Sequence, residues 1–151
     1  MRDLKTTALN MLGRREHTRV QLRRKLLQRK YEPADVDRVL DELTAAGFLD
    51  DARAAKTFAR HASHIKGHGR NRIARELSAK GVAPDVVAST LDAQIDPAEE
   101  AERLQAALAR RARGKDLTDR REASKVWQAL VRQGFSADAV SKALRKSTPD
   151  E

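Results

Sequence analysis

Three histidines, His61, His64 and His68, stand at i, i+3 and i+7. On one unbroken helix that spacing would put three imidazoles on a common face, the start of a zinc site. Gly67 and Gly69 flank the third, however, and predict that the helix stops before it. No carboxylate lies between the histidines to complete a ligand set. The expectation is no metal: the histidines and Lys66 read as positive charge near a helix C-terminus, where it is favoured. Asp50 and Asp51 are adjacent, and neighbours on a helix do not face one another, so they are no acid–base pair. At a helix start they would cap free N–H groups. Lys66-Gly67-His68-Gly69 is too short for a phosphate loop and follows no strand. There is no cysteine, which removes disulfides, thiolate nucleophiles and thiolate-bound zinc. The expectation is therefore no catalytic residue, no cofactor and no enzyme.

The basic residues carry the positive signal. Lys and Arg number 31 against 22 Asp and Glu, a net charge of +9, and the pI is near 10.3. Such an excess predicts attraction to a polyanion or to an acidic protein groove. Between Arg14 and Lys30 there are eight Lys/Arg and one acid, Glu16. Arg19 and Arg23 lie one turn apart there. Arg70, Arg72 and Arg75 follow Lys66, and Arg120, Arg121 and Lys125 follow Arg110, Arg111, Arg113 and Lys115. Aromatics are 3% of the chain, and Tyr31, Phe58 and Phe135 fall on core positions, so a base-stacking single-strand binder is not expected.

These basic clusters ride on elements that the apolar pattern defines. Helices are expected near 3–13, 18–30, 33–46, 51–65, 69–80, 84–94, 97–113, 118–133 and 136–146, with no strand. Stripes such as Val36, Val39, Leu40 and Leu43, or Ala55, Phe58, Ala59 and Ala62, mark buried faces. Gly47, Gly81 and Gly134 end helices, and Pro33, Pro84 and Pro97 begin them. Thr18 with Gln21 and Asp96 with Glu99 read as capping boxes, and Ser136 as an N-cap.

The pattern repeats. Leu22, Leu26, Tyr31, Pro33, Val36 and Leu40 are matched 51 residues later by Ile73, Leu77, Val82, Pro84, Val87 and Leu91. A third copy, 53 residues further on, keeps Val126, Leu130, Phe135, Val140 and Leu144, with Ser136 taken at the helix start where proline stood. Lys30 falls where Gly81 and Gly134 lie. The expected fold is all-α: three tandem three-helix repeats, 1–49, 50–95 and 96–146, with a tail at 147–151. They would stack into an elongated array, open to curvature, whose faces are binding surfaces. No run of 18 apolar residues could span a membrane, and 1–12 is too polar for a signal peptide, so a cytoplasmic address is expected.

The motifs resemble those of the RecX family, regulators of the RecA recombinase, from about Ala8 to Arg145. The likeness rests on Ala8-Leu9, Arg15, His17-Thr18, Leu22 and Lys25-Leu26 in the first repeat. In the middle it rests on Gly47-Phe48-Leu49-Asp50-Asp51, Gly69, Arg72-Ile73, Glu76-Leu77 and Lys80-Gly81-Val82. Gly134-Phe135-Ser136 and Leu144 carry it in the third. The chain departs from the family's usual pattern at Ala54, Gln21 and Gly13, where an aromatic, Glu and Ser are common.

The resemblance implies a non-catalytic protein without cofactor that lodges in the groove of the RecA–single-stranded DNA filament and inhibits ATP hydrolysis and strand exchange. It implies a role in recombination, DNA repair and the SOS response. Arg19, Arg23, Arg70, Arg72, Arg75, Arg120 and Arg121 are then the expected contacts to acidic groove residues or phosphates. The partners would be RecA and single-stranded DNA, with double-stranded DNA left open, and the protein would act as a monomer. The alternative is a DNA-binding protein that acts without RecA through helix-turn-helix-like units.

Overall fold

The computed structural model describes residues 2–148. Among them are nine α-helices and no strand: α1 (Leu4–Arg14), α2 (Arg19–Gln28), α3 (Pro33–Ala45), α4 (Asp51–His64), α5 (Arg70–Ala79), α6 (Pro84–Gln94), α7 (Pro97–Ala112), α8 (Arg120–Gln133) and α9 (Ala137–Ser147). Of the expected tail, Ser147 closes α9, and 149–151 lie outside the described residues.

The helix starts follow from local chemistry. Thr18 and Gln21 form the reciprocal box at α2: Gln21 N–H donates to Thr18 Oγ1 at 3.2 Å and Thr18 N–H to Gln21 Oε1 at 3.0 Å. Ser136 caps α9 by accepting from Ala139 N at 3.1 Å. It does so as the N-cap; the residue 53 places beyond Pro84 is Ala137, the first of the helix, so the proline position holds alanine. Asp96 caps α7 from Ala98 N at 3.4 Å. The expected box with Glu99 does not form, because Glu99 instead faces Arg103 one turn on, at 3.9 Å.

Helix ends need a left-handed residue to redirect the chain. Gly47, Gly81 and Gly134 take it with φ of 83°, 86° and 116°, and Lys30 takes it with φ of 72°.

By packing, the chain divides into two compact units, Met1–Phe58 with Leu77–Thr90, and Ala59–Glu76 with Leu91–Glu151. In the first, Leu22, Leu26, Val36, Leu40 and Leu43 are wholly buried beside Ala8 and Leu49. Tyr31 closes this core with its polar end satisfied, bonded to Thr7 Oγ1 at 2.9 Å and donating to the Arg2 carbonyl at 2.7 Å. In the second, Leu104, Leu108, Val126, Leu130, Phe135 and Val140 are the centre. Truncating one such leucine to alanine costs about 2–5 kcal/mol.

One joint is built twice, once inside each unit. In the first, Thr18 Oγ1 at the head of α2 donates to the Lys80 carbonyl at 2.5 Å, and the Val20 side chain lies directly over Gly81. In the second, Gly69 N–H at the head of α5 donates to the Gln133 carbonyl at 2.9 Å and Asn71 N–H to the Gly134 carbonyl at 3.0 Å. Thr18 and Gly69 are 51 apart; Lys80 and Gln133, like Gly81 and Gly134, are 53 apart. A helix start thus docks on a left-handed turn, where absence of a side chain permits close approach.

Candidate polyanion-binding surface

The Gly47–Asp51 motif is a built corner. Phe48 and Leu49 N–H groups both donate to the Leu43 carbonyl, at 2.9 and 3.2 Å. The Arg53 guanidinium reaches back to the carbonyls of Gly47 (2.9 Å) and Phe48 (3.0 Å) and pairs with Glu16 at 2.7 Å. The two aspartates cap, as expected, but different helices: Asp50 accepts from Arg53 N at 3.1 Å in its own helix, and Asp51 accepts from Arg19 N at 2.8 Å at the head of α2.

That second bond belongs to a recurring clasp. Arg19 also sends its guanidinium to Asp41 at 2.8 Å. Fifty-one residues later, Arg70 sends its guanidinium to Asp92 at 2.6 Å, and its N–H donates to Glu100 at 2.6 Å. The sequence pattern held a signal for this, since Arg19/Arg70 and Asp41/Asp92 share the 51-residue offset. In the third repeat the same register holds Ala123 and Arg145.

The structure therefore sorts the seven expected contact arginines. Arg19, Arg23, Arg70 and Arg72 are engaged with Asp41, Asp37 (2.8 Å), Asp92 and Glu76 (2.9 Å). The Arg23 guanidinium holds the Asp37 carboxyl below its usual range, mainly through their hydrogen bond. Arg75, Arg120 and Arg121 are exposed, and no described carboxylate lies within ion-pair distance of them.

Two basic clefts escaped the sequence reading. The first, ≈ 460 Å³, is lined by Met11, Arg14, Arg15, His17, Lys25, Gln28 and Arg29. The second, ≈ 470 Å³, is lined by Lys66, His68, Arg72, Ala107, Arg110, Arg111 and Gln133. Neither lining includes a carboxylate. Each contains a buried histidine, His17 or His68, again 51 residues apart.

The two histidines have opposite partners. His17 Nδ1 contacts the Arg15 carbonyl at 3.0 Å, which can only accept, so Nδ1 carries the proton and Nε2 takes a hydrogen bond from Lys25 Nζ at 3.0 Å. Burial first, and Lys25 and Arg15 besides, hold His17 below its ordinary value; the Arg15 bond opposes this. In the second repeat the residue at the register of Lys25 is Glu76, whose Oε1 lies 3.1 Å from His68 Nδ1 but out of line for a hydrogen bond. Burial still lowers His68, with Glu76 opposing.

Among the described residues no cluster of three His, Cys, Asp or Glu could hold a metal. His61 and His64 are exposed on α4 while His68 lies beyond its end, buried. Nor is any described helix long and apolar enough to cross a membrane.

Three family models cover the chain in order: the first three-helix domain of RecX over residues 5–43, the second over 50–91 and the third over 98–144. The chain belongs to the RecX family. It is 40% identical to the regulatory protein RecX of Halorhodospira halophila over 149 residues, 98% of this chain and 90% of that one. It is 41% identical to the regulatory protein RecX of Leptothrix cholodnii, over 95% and 88% of the two chains. In fold it matches the crystal structure of RecX from Lactobacillus salivarius with a TM-score of 0.81 at 20% identity, over 95% and 93% of the chains. The clasps and joints thus belong to a RecX fold, and the corner at Gly47–Asp51 joins its first and second three-helix domains.

Proposed function

We propose that the chain is a non-catalytic regulator that binds the groove of the RecA–single-stranded DNA filament and inhibits its ATP hydrolysis and strand exchange, acting as a monomer in the cytoplasm. Membership of a family whose curated relatives are named regulatory proteins supports the regulatory part. The observation that favours a polyanionic partner is the set of exposed cations with no counter-ion among the described residues, Arg75, Arg120 and Arg121, beside two basic clefts whose linings hold no carboxylate. Steering by such charge raises encounter rates with filaments that expose phosphates or acidic side chains.

The contact residues in this reading are Arg19, Arg23, Arg70, Arg72, Arg75, Arg120 and Arg121, carried on three repeats at 1–49, 50–95 and 96–146. The last three contribute most, because the others first give up an internal partner. The test is RecA's single-stranded-DNA-dependent ATP hydrolysis, with this protein titrated from far below to equal stoichiometry. Inhibition, weakened when Arg75, Arg120 and Arg121 are changed together to Glu, supports the reading. No inhibition at parity, with specific duplex DNA still retained, turns it into a DNA-binding protein that works without RecA.

A further inference from the structure

The α1–α2 cleft has features that a merely solvated basic surface lacks. Arg14 and Arg15 close α1, and Lys25 and Arg29 lie at the end of α2, so four cations border one space of ≈ 460 Å³. Close like charges repel, and the burial of Lys25 together with Arg15 lowers its pKa. The local acid does not relieve them: Glu16, between Arg15 and His17, is turned to Arg53 at 2.7 Å.

What holds Lys25 in place is a neutral acceptor. His17, buried and fixed in its Nδ1–H form by the Arg15 carbonyl, takes one ammonium hydrogen at 3.0 Å. The ammonium is oriented without being neutralised, and its other two N–H groups have no partner among the described residues. The second repeat shows the contrast, for there the same register carries Glu76, which supplies a negative charge to its histidine and to Arg72. The first repeat keeps the histidine and substitutes a cation, and so leaves a positive site with one wall set by a buried group.

We propose that this cleft is a phosphate-binding site, in which Arg14, Arg15, Lys25 and Arg29 hold the phosphate of a nucleotide, either free or as one unit of a single strand. Guanidinium and ammonium donors give charge-assisted bonds to phosphate oxygens. The volume exceeds what a phosphate alone occupies and falls in the range of small-ligand sites. The half-buried Met11 offers the sugar or base an apolar contact. The inference stands whether or not the chain acts on RecA, since every lining residue belongs to its first compact unit.

The experiment follows the His17 imidazole resonances of the full-length protein, without RecA, during titration with ATP, tripolyphosphate and a thymidine hexanucleotide. Saturable movement of His17 is expected. Lys25→Gln, which can still donate to His17, and Arg29→Gln at the exposed end of α2 should each weaken binding about tenfold, the loss of one charge-assisted hydrogen bond. Lys142→Gln, at an exposed residue of α9 outside the contact set and the cleft, should leave it unchanged. Circular dichroism confirms folding of each variant. Tighter binding of ATP than of the hexanucleotide identifies a free nucleotide as the source, and the reverse order a strand. Equal affinity for tripolyphosphate and ATP overturns the nucleotide assignment. No saturable movement of His17 with any probe, or equal weakening by Lys142→Gln, overturns the site.

Discussion

Gly69 meets Gly134 backbone to backbone: a Cβ on Gly69 would lie 2.5 Å from the Gly134 carbonyl carbon. Neither partner can yield as a flexible side chain could. Gly69→Ala is therefore expected to destabilise by about 1–3 kcal/mol, as overpacking against a rigid neighbour does. Gly13, near the end of α1, has nothing within 4 Å of its Cβ position. Gly13→Ala should stabilise by about 0.5–1 kcal/mol. Urea midpoints of the two variants test the contrast; a neutral Gly69→Ala would mean that the joint gives way.

The buried histidines should respond in opposite senses to removal of their partners. Lys25→Gln takes a cation from His17 and raises its pKa, whereas Glu76→Gln takes a carboxylate from His68 and lowers its pKa. Imidazole titration by NMR reads both directly. Movement in the same direction would show that the paired side chains do not govern these groups.

The same shifts fix a stability profile. Both folded histidines titrate below 6.5, the unfolded value. As pH falls below 6.5 the unfolded chain takes up protons first, so stability declines until the folded imidazoles themselves become charged. His17→Gln should flatten this decline over that window in chemical denaturation. An unchanged slope would place the proton uptake elsewhere.

Asp41 and Asp92 neutralise the arginines that begin α2 and α5. Replacing both with Asn releases two guanidinium groups at the surface. If these reach phosphates, the salt dependence of single-stranded DNA binding should steepen by about 0.7 in log–log slope for each new contact. Filter binding across a salt series measures it. An unchanged slope would remove Arg19 and Arg70 from the contact set.

Lys30 holds a left-handed conformation that costs an L-residue about 1–2 kcal/mol. Glycine avoids most of that cost but loses more freedom on folding. Lys30→Gly should thus give a modest net gain, about 0.5 kcal/mol, visible as a higher melting temperature. A loss would show that the Lys30 side chain contributes contacts that outweigh the strain.

Lys30 also shows how far the sequence could be read. Its place in the 51-residue register, level with Gly81, implied a turn of the same hand before any coordinate did, and the helix limits followed from Pro, Gly and apolar spacing in the same way. These signals are local or periodic. The state of the arginines was not legible, because Arg19, Arg23, Arg70 and Arg72 look like any other exposed helical arginine until Asp41, Asp37, Asp92 and Glu76 are brought to them by the fold. Nor was the Glu99 box excluded by spacing alone, since Arg103 competes for the same carboxylate. The His17–His68 equivalence is contained in the 51-residue offset, but the close spacing of His61, His64 and His68 masks it, and the end of α4 separates those three.

The clasp is uneven along the three repeats, with a consequence for whether one could replace another. Arg19 and Arg70 each send the guanidinium to an acid of their own repeat, Asp41 or Asp92, and the backbone N–H to an acid opening the next one, Asp51 or Glu100. Ala123 and Arg145, at the third set of positions, cannot form the guanidinium–carboxylate pair. The guanidinium tie is therefore a feature of the first two repeats and not of the third. The three repeats are thus not interchangeable modules: the third would gain this tie only with arginine at 123 and aspartate at 145.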